Sequence, residues 1–119
     1  MKNLRSRLFA VLALFALVAS SASAGGLTIT AHANPYTSNY DSLNLSVPAG
    51  AYASYYWYII TTGTTTVTVN GPGVSINDTE TSAGSNGGGS AFSGAGGVTG
   101  SVYASTGGGQ AHASLTIGW

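Results

Sequence analysis

The chain has 119 residues, of which only 5% are charged, and it contains no cysteine. Its three basic residues are Lys2, Arg5 and Arg7, so residues 25–119 carry acidic side chains only. Phosphate recognition draws mainly on Lys and Arg, and nucleic acid is therefore excluded as an expected partner. Without disulfides, the fold has to be held by apolar burial and backbone pairing.

The first 24 residues have the pattern of a secretory signal peptide. A basic start is followed by an apolar run from Leu8 to Val18 and by the small residues Ala22-Ser23-Ala24. The apolar run is shorter than the roughly 20 residues that span a membrane as a helix. We therefore expect a secreted protein of the extracellular surface, whose mature part, residues 25–119, is a single domain without a transmembrane span.

Two runs of alternating apolar and polar residues open the mature part. In residues 27–33 every second residue is apolar, so the apolar side chains share one face of a strand, and residues 42–47 show the same pattern. In the second run Leu43 and Leu45 are predicted to face the core, and Asn44 to face outward. Each run is followed by a proline, which predicts the end of a strand.

The densest apolar run is residues 55–60, where alternation fails because both faces are apolar. A strand of this kind is central or covers a contact surface. We predict that one face belongs to the core, namely Tyr55, Trp57 and Ile59. The other face has no evident internal partner, and we predict it to be an assembly or ligand face: Tyr56, Tyr58 and Ile60.

Two further strands are predicted on either side of the turn at residues 70–73. Val67 and Val69 share one face of the first, and Ile76 lies on the apolar face of the second. These three residues are assigned to the core. The same face continues into Asp78 and Glu80, which predicts a strand that runs past the core edge into solvent.

Glycine makes up eleven of the residues from 84 to 109. The segment 84–97 is either a flexible arm or part of two short strands with glycine at turns and bulges, and we favour strands because apolar residues recur at strand-like spacing.

A last alternating run, residues 111–117, assigns Leu115 and Ile117 to the core. Read backwards it resembles residues 27–33, which we interpret as a preference shared by strands and not as a repeat.

The regular spacing of short strands predicts an all-β fold, a single antiparallel sandwich of six to eight strands. The order of features resembles the immunoglobulin-like sandwiches of prokaryotic surface proteins, especially PKD-like domains. The resemblance implies a non-catalytic spacer, adhesive or assembly role. The residues that carry it are Ile29 to Pro35, Asp41 to Ser46, Tyr55 to Trp57 with its expected buried Trp, Gly100 to Tyr103, and Ala113 to Ile117.

The mature part offers few groups for chemistry. No nucleophile-elbow pattern surrounds any serine, so we predict no catalytic residue, no enzyme and no cofactor. His32 and His112 are expected on neighbouring strands, but two histidines without a third ligand make a weak site. Asp78 and Glu80 lack the six or more oxygens that Ca²⁺ takes. No metal site is therefore predicted.

Two tripeptides match the N-glycosylation acceptor pattern, at Asn44 and Asn77. Both lie at predicted outward positions, and both are candidate modification sites in a host that glycosylates exported proteins.

The scarcity of charge points to assembly. Isolated β-proteins protect their edge strands with Lys, Pro or inward charges, and this chain has almost none. The sequence therefore predicts a structural subunit of an extracellular filament, fibre or surface matrix, which self-associates into a polymer through edge-strand contacts or by donation of its first or last strand. The alternative is a monomeric adhesion or carbohydrate-binding module, in which the Tyr and Trp side chains of residues 55–58 stack on glycans.

Overall fold

The computed structural model describes residues 24–119, so the predicted signal peptide lies outside the described residues except for Ala24. The described part contains no helix, and thus none that could cross a membrane. The all-β class, antiparallel pairing and a strand number within the predicted range are confirmed. The six strands are β1 (Gly26–Ala33), β2 (Thr37–Val47), β3 (Tyr52–Gly71), β4 (Val74–Ala91), β5 (Gly96–Gly108) and β6 (Ala111–Gly118).

Strands β3 and β4 form one long hairpin, with 20 and 18 residues. The chain reverses at Gly73, whose φ of 73° lies in the left-handed region that glycine adopts without steric cost. Register shifts between Ile59 and Thr65 divide β3 into two parts. The first part pairs with β6 and the second with β5, while β4 follows β3 along both. The hairpin thus belongs to two four-stranded sheets.

We call β1-β6-β3-β4 the first sheet and β2-β5-β3-β4 the second sheet. Strand β1 also lies close to β2 and β5, with which it forms no ladder, so the two sheets face each other. Their inner side chains form one continuous core. Counting each part of the hairpin separately gives eight strand segments in two layers, the arrangement of a jelly roll.

This strand order differs from that of an immunoglobulin-like domain. There the first two strands belong to the same sheet, in the order A-B-E-D. Here, within residues 24–119, β1 pairs only with β6 and β2 only with β5. The PKD-like resemblance is therefore not confirmed, although the antiparallel two-layer class is.

Residues 55–60 and 64–69, predicted as separate strands, are the two parts of β3. The intervening Thr61, Thr62 and Gly63 shift the register without reversing the chain. A Cβ on Gly63 would lie 2.5 Å from the carbonyl oxygen of Ser105, so the backbone of β5 approaches the bend where only glycine fits.

Strand β4 continues through Asp78 and Glu80 into the glycine-rich segment and ends at Ala91. The predicted solvated strand end is therefore wrong, because Asp78 is half-buried and contacts the core. Strands rather than an arm are confirmed for most of the segment, since β5 begins at Gly96.

Glycine lets tyrosine rings of β3 lie against β4: a Cβ on Gly88 would meet the Tyr55 hydroxyl oxygen at 2.9 Å, and one on Gly89 would collide with Tyr52.

The residues assigned to the core occupy the inner faces of both sheets. Three of them, Leu45, Tyr55 and Ile76, are only partly buried and pack against the cluster. The others are buried: Leu43, Trp57, Ile59, Val67, Val69, Leu115 and Ile117.

Candidate functional site

A row of aromatic rings crosses the outer face of the first sheet. His32 of β1, His112 of β6 and Tyr58 of β3 are direct cross-strand neighbours. The Tyr58 and His112 rings are stacked, with centroids 5.2 Å apart and planes 17° apart. The His32 and His112 centroids are 5.9 Å apart, and Tyr56 extends the row at 6.3 Å from Tyr58. We call these four residues the aromatic row.

The outward face predicted on residues 55–60 overlaps this row, because Tyr56 and Tyr58 belong to both. Tyr56 and Ile60 are 48% and 56% exposed, and Tyr58 is half-buried by its stack on His112. Tyr52 lies four residues before Tyr56 on the same strand, is half exposed and points to the same side of the sheet. An apolar, aromatic outer surface of this kind is consistent with the predicted assembly or ligand face, and contact with another molecule stays a prediction. The identity of that molecule stays a prediction.

Behind this sheet, Asp78 joins the two layers at the side of the hairpin. Trp57 Nε1 donates a hydrogen bond of 3.0 Å to Asp78 Oδ2, and the same carboxylate also influences the Tyr55 hydroxyl. Burial raises the pKa of Tyr55, and the charge and hydrogen bond of Asp78 raise it further. Asp78 is thus the hydrogen-bond acceptor of the core residue Trp57, a role that the sequence pattern did not predict.

The histidines of the aromatic row lie where the sequence predicted them, on neighbouring terminal strands. Burial lowers the pKa of His112, and the positive charge of a protonated His32 lowers it further. Within the described residues no group of three or more His, Cys, Asp or Glu side chains converges. Among the His, Cys, Asp and Glu side chains of the described residues, the two imidazoles therefore have no third neighbour that could share a metal ion.

The inverted similarity of the two terminal strands is a signal for this pairing, and more than a preference shared by strands. Residues 27–33 and 111–117 are similar when one is read backwards, and the two segments pair antiparallel in that register. Like residues therefore stand opposite each other, including Ala31 with Ala113 and His32 with His112. Inverted similarity between two strands indicates antiparallel neighbours, because an antiparallel ladder matches ascending with descending positions.

The outer side of β4 is an open sheet edge. Strand β4 pairs only with β3, so one row of its backbone groups has no partner strand in the described chain. Residues 81–91 are almost entirely exposed and contain no charged residue and no proline. We call residues 81–91 the β4 edge. Such an edge is a template for pairing with another strand.

The two candidate glycosylation sites lie on the second sheet. Asn44 is exposed on β2 opposite Thr99, and Asn77 is exposed on β4 opposite Thr68. Both side chains are on the outer face, where a glycan would not disturb the core.

No protein-family model matches the chain. No curated protein matches it either. Among solved structures, the carbohydrate-binding module TmCBM61 in complex with beta-1,4-galactotriose is similar over 82% of this chain and 88% of that one, at 14% identity and a TM-score of 0.47. A structure of Bacillus endospore appendages, described as disulfide-linked pili, matches 82% of this chain and 86% of its own, at 14% identity and a TM-score of 0.43.

A family two carbohydrate esterase from Cellvibrio japonicus is also similar, at 14% identity and a TM-score of 0.40, over 80% of this chain but only 33% of its own. With identities this low and TM-scores below 0.5, none of these similarities indicates what this chain binds or assembles into.

Proposed function

We propose that this chain is an exported, non-catalytic structural subunit that polymerises through the open edges of its two sheets. The observation that carries this proposal is the β4 edge, which is long, exposed and uncharged. Monomeric β-proteins block such an edge with Lys, Pro or an inward charge, because an open edge pairs with other chains. None of these features protects residues 81–91.

The opposite side of the molecule offers matching edges. Among the described strands, β1 pairs only with β6 and β2 only with β5, so each is the far edge of its sheet. The part of β4 in the first sheet, residues 84–91, is as long as the eight-residue β1. Residues 74–82 of β4 are available in the same way to the β2 of the next copy. One subunit thus presents β4 on one side and β1 with β2 on the other.

The number of strands makes this contact repeatable. Each sheet has four antiparallel strands, so β1 or β2 of a following copy, in the same orientation, continues the alternation beside β4. The contact joins different surfaces of two copies, and a contact of this type that does not close into a ring produces a filament. With strands about 4.8 Å apart, each subunit would advance the filament by roughly 19 Å.

The test is electron microscopy of the secreted protein, together with a variant of the β4 edge. Ala83→Lys with Ser85→Lys puts two charges on exposed positions of the edge. We expect the parent to form filaments with an axial step of roughly 19 Å per subunit. The variant should remain monomeric, because charged edge positions oppose strand pairing.

The matched control is Ala49→Lys with Ala95→Lys. These residues are exposed in the loops before β3 and before β5, outside every strand, and the change in net charge is the same. The control should still form filaments. A parent protein that stays a monodisperse monomer at high concentration, or equal assembly by both variants, would contradict the proposal.

The aromatic outer surface of the first sheet supports a second candidate function, glycan binding. Tyr52 and Tyr56 are half exposed, and Tyr58 is held by its stack on His112. Sugar rings present apolar C–H faces that pack on such rings while hydroxyl groups remain available for hydrogen bonds. In this function the protein is a monomeric adhesion or carbohydrate-binding module.

A glycan array separates the two functions. We expect a glycan binder to lose its signal in the double variant Tyr56→Ala with Tyr58→Ala and to remain monomeric. Tyr40→Ala is the control, because Tyr40 is a more exposed tyrosine that lies on the other sheet. Absence of any glycan signal, or equal loss in the control, would exclude glycan binding through this surface.

A further inference from the structure

The His32 and His112 side chains are suited to sharing one cation. They stand directly opposite each other on β1 and β6 and project to the outer face of the first sheet. Side chains opposed in this way have Cβ atoms about 4.5–5.5 Å apart. Their ring centroids are 5.9 Å apart. Metal–nitrogen bonds of about 2.0–2.1 Å bring two coordinated imidazole rings to roughly 5–6 Å between centres, so a small side-chain rotation is enough.

The surroundings favour a divalent cation over a simple aromatic contact. Residues 25–119 have no Lys or Arg to compete with it. His32 is exposed at the sheet edge, which leaves the pair accessible from solvent. Tyr58 stacks on His112 and restricts that ring, so less conformational entropy is lost when the imidazole binds a metal. Imidazole is a preferred ligand of Cu, Zn and Ni, whereas Ca²⁺ and Mg²⁺ take oxygen ligands.

We propose that His32 and His112 form a two-imidazole binding site for a transition-metal cation, with the highest affinity for Cu²⁺ among the divalent ions. The ranking follows the general order of divalent first-row metals at nitrogen sites. Water completes the coordination, because no third His, Cys, Asp or Glu of the described residues joins the pair. The site uses side chains on the outer face of the first sheet, whereas the proposed edge contacts use backbone groups, although His32 lies on β1, one of the strands proposed to make those contacts.

The experiment is a calorimetric titration with CuCl₂ at pH 7.5 in a non-coordinating buffer, on protein expressed from the full-length sequence without a polyhistidine tag. We expect one Cu²⁺ per chain in the parent. His32→Asn and His112→Asn should each weaken binding by at least about tenfold, since even the loss of a ligand's supporting partner has an effect of this size. A titration with CaCl₂ should show no binding at this site.

Two controls keep the outcome decisive. Asp78→Asn and Glu80→Gln each remove a carboxylate of β4 that lies outside the histidine pair. Both variants should leave Cu²⁺ affinity unchanged. Circular dichroism establishes that each histidine variant keeps its strands, and exposed His32 is the position where a loss of fold is least expected. Binding that persists in both histidine variants, or a parent that binds no Cu²⁺, would overturn the proposal whatever the state of assembly.

Discussion

Trp57 Nε1 and Asp78 Oδ2, 3.0 Å apart, join the two sheets at the bent hairpin. Trp57 lies on the part of β3 that pairs with β6, whereas Asp78 stands opposite Val67 in the part that pairs with β5. Their hydrogen bond therefore holds the two halves of the hairpin against each other. Asp78 performs this function as the acceptor for a buried indole, and its negative charge also acts on Tyr55.

We expect Asp78→Ala to lower the free energy of unfolding by about 1.5–3 kcal/mol, because a hydrogen bond to a charged group is lost and a buried indole N–H is left without its acceptor. Urea denaturation followed by Trp fluorescence measures the change. Glu80→Ala is the control two residues along the same face, where we expect less than about 0.5 kcal/mol. Equal effects of the two substitutions would show that Asp78 has no special part in stability.

The raised pKa of Tyr55 predicts a loss of stability in alkali. Above its ordinary value of 10.0 the unfolded chain releases the Tyr55 proton while the folded chain still retains it. The contribution is therefore complete below about pH 10 and is lost as the pH rises through the higher pKa of the folded state. The free energy of unfolding should therefore fall as the pH rises above the ordinary Tyr value of 10.0.

Tyr55→Phe should flatten this decline, and Asp78→Asn should lessen it by removing the nearby negative charge. Urea titrations at several pH values provide the measurement. A decline of the same slope in Tyr55→Phe and in the parent would mean that another group causes it.

Gly100 of β5 is required by close packing in the core. A Cβ at this position would lie 2.7 Å from Leu115 Cδ2 and 3.3 Å from Leu43 Cγ. Gly100→Ala should therefore destabilise the protein by about 1–3 kcal/mol through overpacking. The control on the same strand is Gly97→Ala, where no atom lies within 4 Å of the added methyl group. Thermal melts of both variants decide the matter, and a Gly100→Ala protein as stable as the control would refute the packing argument.

Thr65 has a fully buried hydroxyl without a hydrogen-bond partner in the described chain. Thr65→Val keeps the side-chain shape and removes the unpaired polar group, so we expect a gain of about 1 kcal/mol in the free energy of unfolding. Thr66→Val is the neighbouring control, because Thr66 Oγ1 lies 3.1 Å from Thr79 Oγ1 and loses that hydrogen bond. A destabilised Thr65→Val variant would indicate a partner for the hydroxyl group in solution.

The sequence by itself determined the strand class and the two faces of residues 55–60. Trp57 and Ile59 are buried whereas Tyr56 and Ile60 are exposed, as the two-residue period of a strand predicted. These features could be predicted because successive side chains of a strand point to opposite sides, which is a property of the local backbone.

The tertiary structure alone decided that β3 runs through two sheets, that Asp78 meets Trp57, and which surfaces remain open. Each of these features depends on which distant strands pair and where the chain bends, and a local pattern does not encode either choice. The terminal strands are the exception. Their inverted similarity marked the pairing that sets His32 opposite His112, because an antiparallel ladder matches one sequence with the reverse of the other.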